Sequence, residues 1–299
     1  MKTNINKRIG VVTVASIAAV IMTAAKTAAI EYDLSTLGSQ SFNVPGDVGG
    51  TAVFADNWTQ PAGTGVFQPF LTLEANGQSS TGSQVVEQAF NTDGFGALYM
   101  DQQRPQWNNR VTLGDLAQVN VNGTLYYAFL LDANEPGASK SIISVDNVRI
   151  YTSAADHTAA VGNDLTQLDQ LGTLRWALNS PTGPNGSWNI NNWVKLDAAQ
   201  ENINGGASNA NGGSGQSDMV LYVPVTAFAG SLSTDYLWFY NLNGAHYGVD
   251  GDLGAESGYE EWSYVASSTQ LIPDAASTVV LLGLGLLAVE CARRKFVSA

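Results

Sequence analysis

Short apolar runs alternate with polar turns along residues 30–270, the long middle part of the chain. The runs are rich in aromatic and β-branched residues, and the turns are rich in Gly, Asn, Asp and Ser. No run keeps helical spacing for long, and no repeat or break in composition divides this part of the chain. Such a pattern is typical of all-β proteins. It predicts one domain over 30–270, an antiparallel β-sandwich of the jelly-roll or lectin-like kind.

The clearest strands lie on either side of a polar loop at 132–140. Thr124–Leu131 follows the turn Asn122-Gly123 and is apolar on both faces, which favours a central position in a sheet. Ser141–Tyr151 follows the loop and alternates in polarity. Two strands joined by a short polar loop are typical of a β-hairpin, so we expect these two to pair with each other.

Strict alternation predicts which residues of the second strand share a face. One face would carry Ile142, Ser144, Asp146 and Val148, and the other Ile143, Val145, Asn147, Arg149 and Tyr151. Farther along, Met219–Val225 and Tyr236–Leu242 are expected to form another strand pair. The helical segments that the pattern indicates are Asp164–Leu171 and a single turn at Thr226–Ala229.

The first 29 residues have the parts of a secretory signal. Three basic residues lie within the first eight positions, and the apolar run Ile9–Ala25 follows them. Small residues then offer a cleavage site between Ala29 and Ile30. Residues 1–29 are therefore predicted to be a signal peptide, and an uncleaved membrane anchor is the alternative.

A second apolar segment lies near the C-terminus, within residues 271–299. Ile272–Thr278 leads into the uncharged run Val279–Val289, and a basic cluster follows. An apolar helix that ends in a basic cluster stops in the bilayer with its cations on the cytoplasmic side. The domain at 30–270 is then expected outside the cytoplasmic membrane, as the N-terminal signal also predicts.

This tail resembles the PEP-CTERM class of bacterial sorting signals, in its Val-Pro-Asp-x-Gly-Ser-Thr variant. The matching positions are Ile272, Pro273, Asp274, Ser277 and Thr278, followed after the apolar run by Arg293, Arg294 and Lys295. The chain differs from the variant at Ile272 in place of Val, at Ala276 in place of Gly, and at Glu290 inside the apolar stretch. The resemblance implies recognition and processing by exosortase, a membrane-embedded cysteine protease-like enzyme. An ordinary tail anchor is the alternative.

The segment Asp218–Trp262 also resembles a pattern that recurs in exported PEP-CTERM proteins. It contains a Val-Pro strand, a Phe-containing turn, the aromatic strand Tyr236–Tyr240 and a Gly/Asp loop that ends at Gly258–Trp262. The resemblance implies an extracellular β-sandwich and indicates no reaction. Because such tails occur in bacteria that make exopolysaccharide, the resemblance implies matrix polysaccharide as a partner.

Charge and composition exclude several classes of function. The chain carries 13 Lys+Arg against 26 Asp+Glu, a net charge of −13, which excludes nucleic acid as a partner. Its one cysteine, Cys291, lies in the tail, so the domain has no disulfide framework and no cysteine-built zinc site. The motifs of nucleotide-binding loops, serine hydrolases and zinc proteases are absent from the sequence. The two histidines, His157 and His246, are expected to be loop side chains.

Acidic residues are most crowded near the end of the domain, at Asp250, Asp252, Glu256, Glu260 and Glu261. A secreted glycosidase would use two such carboxylates, but the Glu-x-Asp-x-x-Glu order of jelly-roll glycosidases is absent. The spacing partly matches a calcium-binding loop, which makes Asp250, Asp252 and Glu256 a candidate calcium site. A solvated acidic surface is the alternative. Apart from this calcium ion, no cofactor is expected.

Aromatic and amide side chains occur together at 107–110 and 188–193. Tryptophan faces and amide groups are the side chains that hold sugar rings, so the candidate glycan-binding residues are Trp107, Asn109, Trp188 and Trp193. The alternative is that the tryptophans fill the core and the asparagines form turns.

The sequence favours a non-catalytic protein exported to the cell surface, the outer envelope or the extracellular polysaccharide matrix. Its expected partners are exosortase, the secretion machinery and the membrane that holds its C-terminal helix. A lectin-like carbohydrate-binding module and a secreted glycosidase are the alternatives. Hydrolysis of a glycan would identify the glycosidase, and glycan binding without turnover would identify the lectin-like module.

Overall fold

The computed structural model describes residues 29–36, 40–56, 69–74, 86–135, 141–180, 189–198, 217–246, 253–255 and 258–267. Within these residues the chain forms two seven-stranded β-sheets, and its helical segments are short. The predicted all-β sandwich is confirmed. Residues 1–28 of the proposed signal and the whole C-terminal segment 271–299 lie outside the described residues.

The first sheet is built around two long strands. It contains β1 (Ile30–Asp33), β5 (Glu87–Phe90), β6 (Val111–Thr112), β9 (Ile142–Ser153), β10 (Thr173–Ala177), β11 (Asn192–Asp197) and β13 (Tyr236–Asn243). The order is β1-β11-β9-β13-β5, and β10 and β6 pair with β9 and β13 respectively. β1 runs parallel to β11, and the other pairs are antiparallel.

The second sheet is antiparallel throughout. It contains β2 (Ser41–Pro45), β3 (Thr51–Ala55), β4 (Leu71–Leu73), β7 (Gln118–Val121), β8 (Thr124–Asp132), β12 (Met219–Pro224) and β14 (Glu260–Tyr264). The order is β2-β3-β12-β8-β14-β4, and β7 pairs with the first half of β8. The turn Asn122-Gly123 joins β7 to β8, and both residues have the positive φ that a tight hairpin turn requires, 52° and 89°.

The inner faces of the two sheets pack around aromatic side chains. The ring of Phe239 on β13 lies 5.0 Å from that of Phe129 on β8 and 4.6 Å from that of Trp262 on β14. All three side chains are fully buried. Each large ring removes much apolar area from water, and offset or tilted ring pairs add to that gain. This contact across the layers fixes β13 against β8 and β14.

A second hydrophobic cluster covers the outer face of the first sheet. Tyr151, Trp238 and Tyr240 pack there against Leu168 and Leu171. The two leucines belong to the 3₁₀ helix Leu165–Leu171, which the carboxylate of Asp164 caps by accepting from the N–H of Thr166. The predicted helical segment at Asp164–Leu171 is therefore confirmed, in 3₁₀ form. Because both faces of β9 and β13 are covered, both strands are buried along almost their whole length.

The remaining helical segments are single turns. The described residues contain α1 (Thr158–Val161) and the 3₁₀ turns Pro105–Trp107, Leu113–Asp115 and Val225–Phe228. The last of these confirms the turn predicted at Thr226–Ala229. Its Phe228 ring packs edge-on against Tyr127 of β8 at 5.1 Å.

The predicted pairing of Thr124–Leu131 with Ser141–Tyr151 is wrong. Both segments are strands, but β8 lies in the second sheet and β9 in the first. The strands Met219–Val225 and Tyr236–Leu242 were also expected to pair, and they too lie in opposite sheets, as β12 and β13. A strand that is apolar on both faces can be central in either sheet, so its pattern does not select its partner.

The predicted faces of β9 are also wrong beyond Asp146. The register with β13 shifts there, since Asn243 pairs with Val145 while Leu242 pairs with Asn147. Asp146 is thus the extra residue of a β-bulge. Val145 belongs to the core before the bulge and Val148 after it, although strict alternation placed them on opposite faces.

Candidate functional site

Three polar residues lie together between the sheets, at one end of the sandwich. Glu87 begins β5, Asn243 ends β13 and Glu260 begins β14. Asn243 is the register partner of Glu87. Alternation places each of them on the inner face, because Ala89, two residues from Glu87, and Trp262, two residues from Glu260, belong to the core. We refer to Glu87, Asn243 and Glu260 as the interior carboxylate cluster.

The interior carboxylate cluster is closed off from solvent. Glu87 and Asn243 are 0 % exposed and Glu260 is 1 % exposed. The Nδ2 of Asn243 donates a hydrogen bond to Oε1 of Glu87 at 2.7 Å. The carboxyls of Glu87 and Glu260 approach closely enough to hydrogen-bond when one of them carries a proton. The cluster therefore joins β5 and β13 of the first sheet to β14 of the second.

Most oxygen atoms of the interior carboxylate cluster have no hydrogen-bond donor. These buried acceptors are Oε2 of Glu87, Oδ1 of Asn243 and both carboxyl oxygens of Glu260. Leaving a buried polar atom without a partner costs about 1–3 kcal/mol, and more for a charged group. Two ionised carboxylates cannot satisfy each other, because both only accept. The cluster is therefore completed by protons or by a cation.

Burial changes the acidity of both glutamates. Loss of hydration raises the pKa of Glu87 to about 8, although hydrogen bonds with Glu260 and Asn243 oppose the change. Burial also raises the pKa of Glu260 well above its usual range, and the negative charge of Glu87 raises it further. Without a cation, both carboxyls therefore retain protons to a higher pH than exposed glutamates do.

This geometry differs from that of a glycosidase pair. The two carboxyls of a glycosidase lie about 5–10 Å apart, on either side of the sugar bond. Those of Glu87 and Glu260 are in contact and buried, so no sugar fits between them. Glu261, the other acidic residue of β14, lies on the opposite face of the strand, beside Asp132 of β8.

A second buried polar group surrounds the bulge of β9. Oδ1 of Asp146 lies 2.5 Å from Nδ1 of His246, and its Oδ2 accepts from the hydroxyl of Ser144 at 2.9 Å. The N–H of Ala245 also donates to Asp146. The ring of Trp193 stacks on that of His246 with 4.3 Å between centroids. Although these are the residue types of a serine hydrolase, Ser144 donates to the aspartate and not to the histidine, so no activated nucleophile is formed.

The candidate glycan residues Trp107 and Asn109 lie at the surface. Trp107 is 37 % exposed at the end of its 3₁₀ turn, and Asn109 is also exposed. The ring of Tyr259 meets Trp107 edge-on at 6.5 Å, and the guanidinium of Arg104 lies 4.6 Å from the centre of the Tyr259 ring. An aromatic face with polar and charged neighbours is suited to bind a sugar ring.

The other candidate glycan residues do not extend this surface. Trp193 is 3 % exposed, and the ring of His246 covers it. It lies on β11, which β9 and β13 separate from β5 in the first sheet. Trp188 lies outside the described residues. The structure therefore does not bring Trp107 and Trp193 together. Trp193 is a core residue, which agrees with the alternative that the tryptophans fill the core.

Several predicted sites lie outside the described residues. Asp250, Asp252 and Glu256 of the candidate calcium loop are outside the described residues, as are the sorting-motif residues 272–278 and the basic cluster 293–295. Across the described part of the chain, no three side chains of the His, Cys, Asp or Glu type come together as a metal-binding group. No helix within the described stretches is both long and apolar enough to cross a bilayer.

In the sequence, Glu260 stands out only as one acidic residue among several, and neither Glu87 nor Asn243 stands out as a candidate site residue. Glu87 and Asn243 are 156 positions apart, so no local motif contains both. One signal was present for Glu87. It lies two residues before Ala89 in a short strand that ends in Phe90, and alternation then turns a carboxylate towards the core.

Comparison of the chain with protein-family models, with curated proteins and with solved structures finds no match in any of the three.

Proposed function

We propose that this chain is an exported, non-catalytic β-sandwich protein of the cell surface or the extracellular polysaccharide matrix, sorted through its C-terminal segment. One observation carries the proposal. The first described strand, β1, begins at Ile30, directly after the proposed cleavage site, and the last described residue of the sandwich is Ser267. The described strands, from Ile30 to Tyr264, therefore all lie between the proposed signal 1–29 and the proposed sorting segment 271–299.

The contacts of β1 are compatible with cleavage after Ala29. The N–H of Ile30 donates to the carbonyl of Asn191 at 2.6 Å, and a new α-ammonium group at this position would still donate. The ammonium of Lys195 on β11 lies 3.9 Å from the carboxylate of Glu31 and 3.8 Å from that of Asp33. Removal of the preceding residues leaves these contacts intact.

A sorting variant tests the proposal in the native cell. The double variant Pro273→Ala, Asp274→Ala changes the motif by which exosortase would recognise the tail. We expect the wild-type chain in the outer envelope or the medium, and the variant retained in the cytoplasmic membrane with its tail attached. Thr269→Ala, just before the motif, is the control and should behave as the wild type. Equal distribution of wild type and double variant, both with intact tails, would contradict sorting through this segment.

A lectin-like carbohydrate-binding module, built as a jelly roll, is the second candidate. The exposed ring of Trp107, next to Tyr259 and Arg104, is the observation that favours it. Affinity electrophoresis in gels that contain matrix polysaccharides tests it directly. We expect the wild type to be retarded, Trp107→Ala to lose the retardation, and Leu232→Ala, which removes another exposed apolar side chain, to keep it. Absence of retardation on every polysaccharide would refute this candidate.

A further inference from the structure

We propose that Glu87, Asn243 and Glu260 bind a hard divalent cation, calcium, between the two sheets. The proposed site differs from the calcium loop predicted at Asp250, Asp252 and Glu256, although that loop lies between Asn243 and Glu260 in the sequence. The proposal does not depend on where the protein is sorted.

The unpartnered atoms of the interior carboxylate cluster are all oxygen acceptors. They number four: one from Glu87, one from Asn243 and two from Glu260. Carboxylate and amide oxygens are the ligands that calcium prefers, and it takes six to eight of them, commonly with water and main-chain carbonyls completing the shell. The third proposed ligand is the amide oxygen of Asn243, so the site is not a group of three His, Cys, Asp or Glu side chains.

The orientation of Asn243 supports a cation at this place. The amide nitrogen of Asn243 faces Oε1 of Glu87 and donates to it at 2.7 Å, the orientation that an ionised carboxylate requires because its oxygens only accept. This contact leaves the amide oxygen without a donor in the interior. An amide oxygen held in this way is arranged as a metal ligand, with its nitrogen fixed by a neighbouring ligand.

Charge balance also favours a cation. The Glu135 carboxyl lies close to Glu260 and adds negative charge beside the pair. Of the ion pairs between described residues, none includes Glu87 or Glu260. A divalent ion would neutralise both glutamates and could coordinate all four free oxygens at once.

The ligand set favours calcium over other metals. Zinc and the later transition metals prefer histidine and cysteine, which the cluster does not contain. Magnesium requires near-ideal octahedral geometry and gives up its waters reluctantly. A fully buried site made of two carboxyls and an amide on three strands is better suited to calcium, which tolerates irregular geometry and bidentate glutamate.

Binding competes with protonation of the same carboxyls. Calcium binds glutamate carboxyls only in their deprotonated form, so it must displace any proton that these two buried carboxyls hold. Two acidic groups lie near Glu87 on neighbouring parts of the chain, Glu135 after β8 and Asp101 before β6, and their negative charge raises the pKa of Glu87 further, whereas a hydrogen bond with Glu135 lowers that of Glu260. Calcium affinity should therefore increase with pH from 6 to 8.

The test uses the purified full-length chain, stripped with EDTA and dialysed. Calcium chloride and magnesium chloride are titrated separately by calorimetry at pH 6 and pH 8, and melting is followed in EDTA and in excess calcium. At a calcium concentration of about 100 times Kd we expect the melting temperature to rise by about 5–10 °C. Magnesium should give a smaller shift.

Two variants separate a calcium site from a structural role. Glu260→Gln should lose the calcium-dependent rise, yet melt at least as high as the wild type in EDTA at pH 8, because its amide can donate to Glu87. Glu261→Gln, one position along β14 on the opposite face, is the matched control and should keep the rise. A variant that only damages the fold would instead melt lower under both conditions.

Three results would overturn the proposal. The first is no heat and no melting shift of the wild type with calcium at pH 8. The second is a calcium response of Glu260→Gln equal to that of the wild type. The third is loss of the response in Asp250→Asn, Asp252→Asn while Glu260→Gln retains it, since the ion would then bind at the loop predicted from the sequence.

Discussion

Single buried amides complete main-chain hydrogen bonds where the strands of this sandwich end. Asn91, directly after β5, is fully buried, and its Oδ1 accepts from the N–H of Phe239 at 2.6 Å. Its Nδ2 donates to the carbonyls of Leu237 and Asn109. Three main-chain groups thus depend on one side chain, because buried backbone groups must be paired.

Replacement of Asn91 by leucine is predicted to destabilise the fold strongly. The substitution keeps the size of the side chain but removes the amide partner of two buried main-chain groups and of the partly buried carbonyl of Asn109, and we expect a loss of about 3 kcal/mol in the free energy of unfolding. Denaturant unfolding measures it. Asn120→Ala removes an exposed amide that only accepts from Gly123 in the β7–β8 turn, and should cost less than about 1 kcal/mol. Equal losses for the two variants would show that the amide of Asn91 has no such role.

Stability of the calcium-free protein is predicted to fall as pH rises from 5 to 8. The pKa of Glu87 rises from 4.5 to about 8 on folding, so in this window the folded chain holds a proton that the unfolded chain releases. Stability then decreases with pH by up to about 1.4 kcal/mol per unit for one such group. The lowered pKa values of Asp156 and Asp164 act in the opposite direction, but below this window.

Unfolding curves in EDTA at several pH values check this dependence. Glu87→Gln should show a weaker decrease than the wild type, since its side chain does not titrate. A slope that is the same in the variant and the wild type would mean that Glu87 ionises normally in the folded chain.

At the scale of elements, the pattern of the sequence predicts strands better than it predicts their partners. β8, β9, β12 and β13 lie where alternation and apolar runs placed them, and Asn122-Gly123 forms a turn. The expected pairing of β8 with β9 failed because both strands are central and buried along most of their length, so their patterns do not select a partner. The bulge at Asp146 was not predictable, because the order of polar and apolar residues around it does not reveal the extra residue. The interior carboxylate cluster was not predictable as a site, because it forms only once three distant strands meet.

The segment that leads into β14 passes close to the main chain of Asn134 at one residue, Gly258. Gly258 has a φ of 100°, and a Cβ at this position would lie 2.0 Å from the carbonyl oxygen of Asn134. Only glycine allows both the conformation and the contact. The position of Glu260, two residues later, depends on this approach.

Gly258→Ala is therefore predicted to destabilise the fold by more than about 2 kcal/mol, through left-handed strain and a clash with backbone. Gly123→Ala is the matched control, because it has a similar φ of 89° but open space around its Cβ, and should cost about 1 kcal/mol. Denaturant unfolding compares the two variants directly. A loss no larger at Gly258 than at Gly123 would show that the Asn134 contact relaxes freely.

At the scale of the whole molecule, the chain combines an all-β body with two terminal segments of different composition. The body is built from two sheets that pack around an aromatic core, and the chain as a whole has a net charge of −13. The terminal segments are apolar and carry most of the basic residues: seven of the 13 Lys and Arg lie within residues 1–26 and 293–295. This division is what an exported protein with a cleavable signal and a membrane-stopping tail requires.

Intact-mass measurement of the protein recovered from its native cell tests the export proposal most directly. The account predicts a chain that begins at Ile30, found outside the cytoplasm, with its C-terminal end within the proposed sorting segment 271–299 after processing. A cytosolic polypeptide with the mass of residues 1–299 would contradict it.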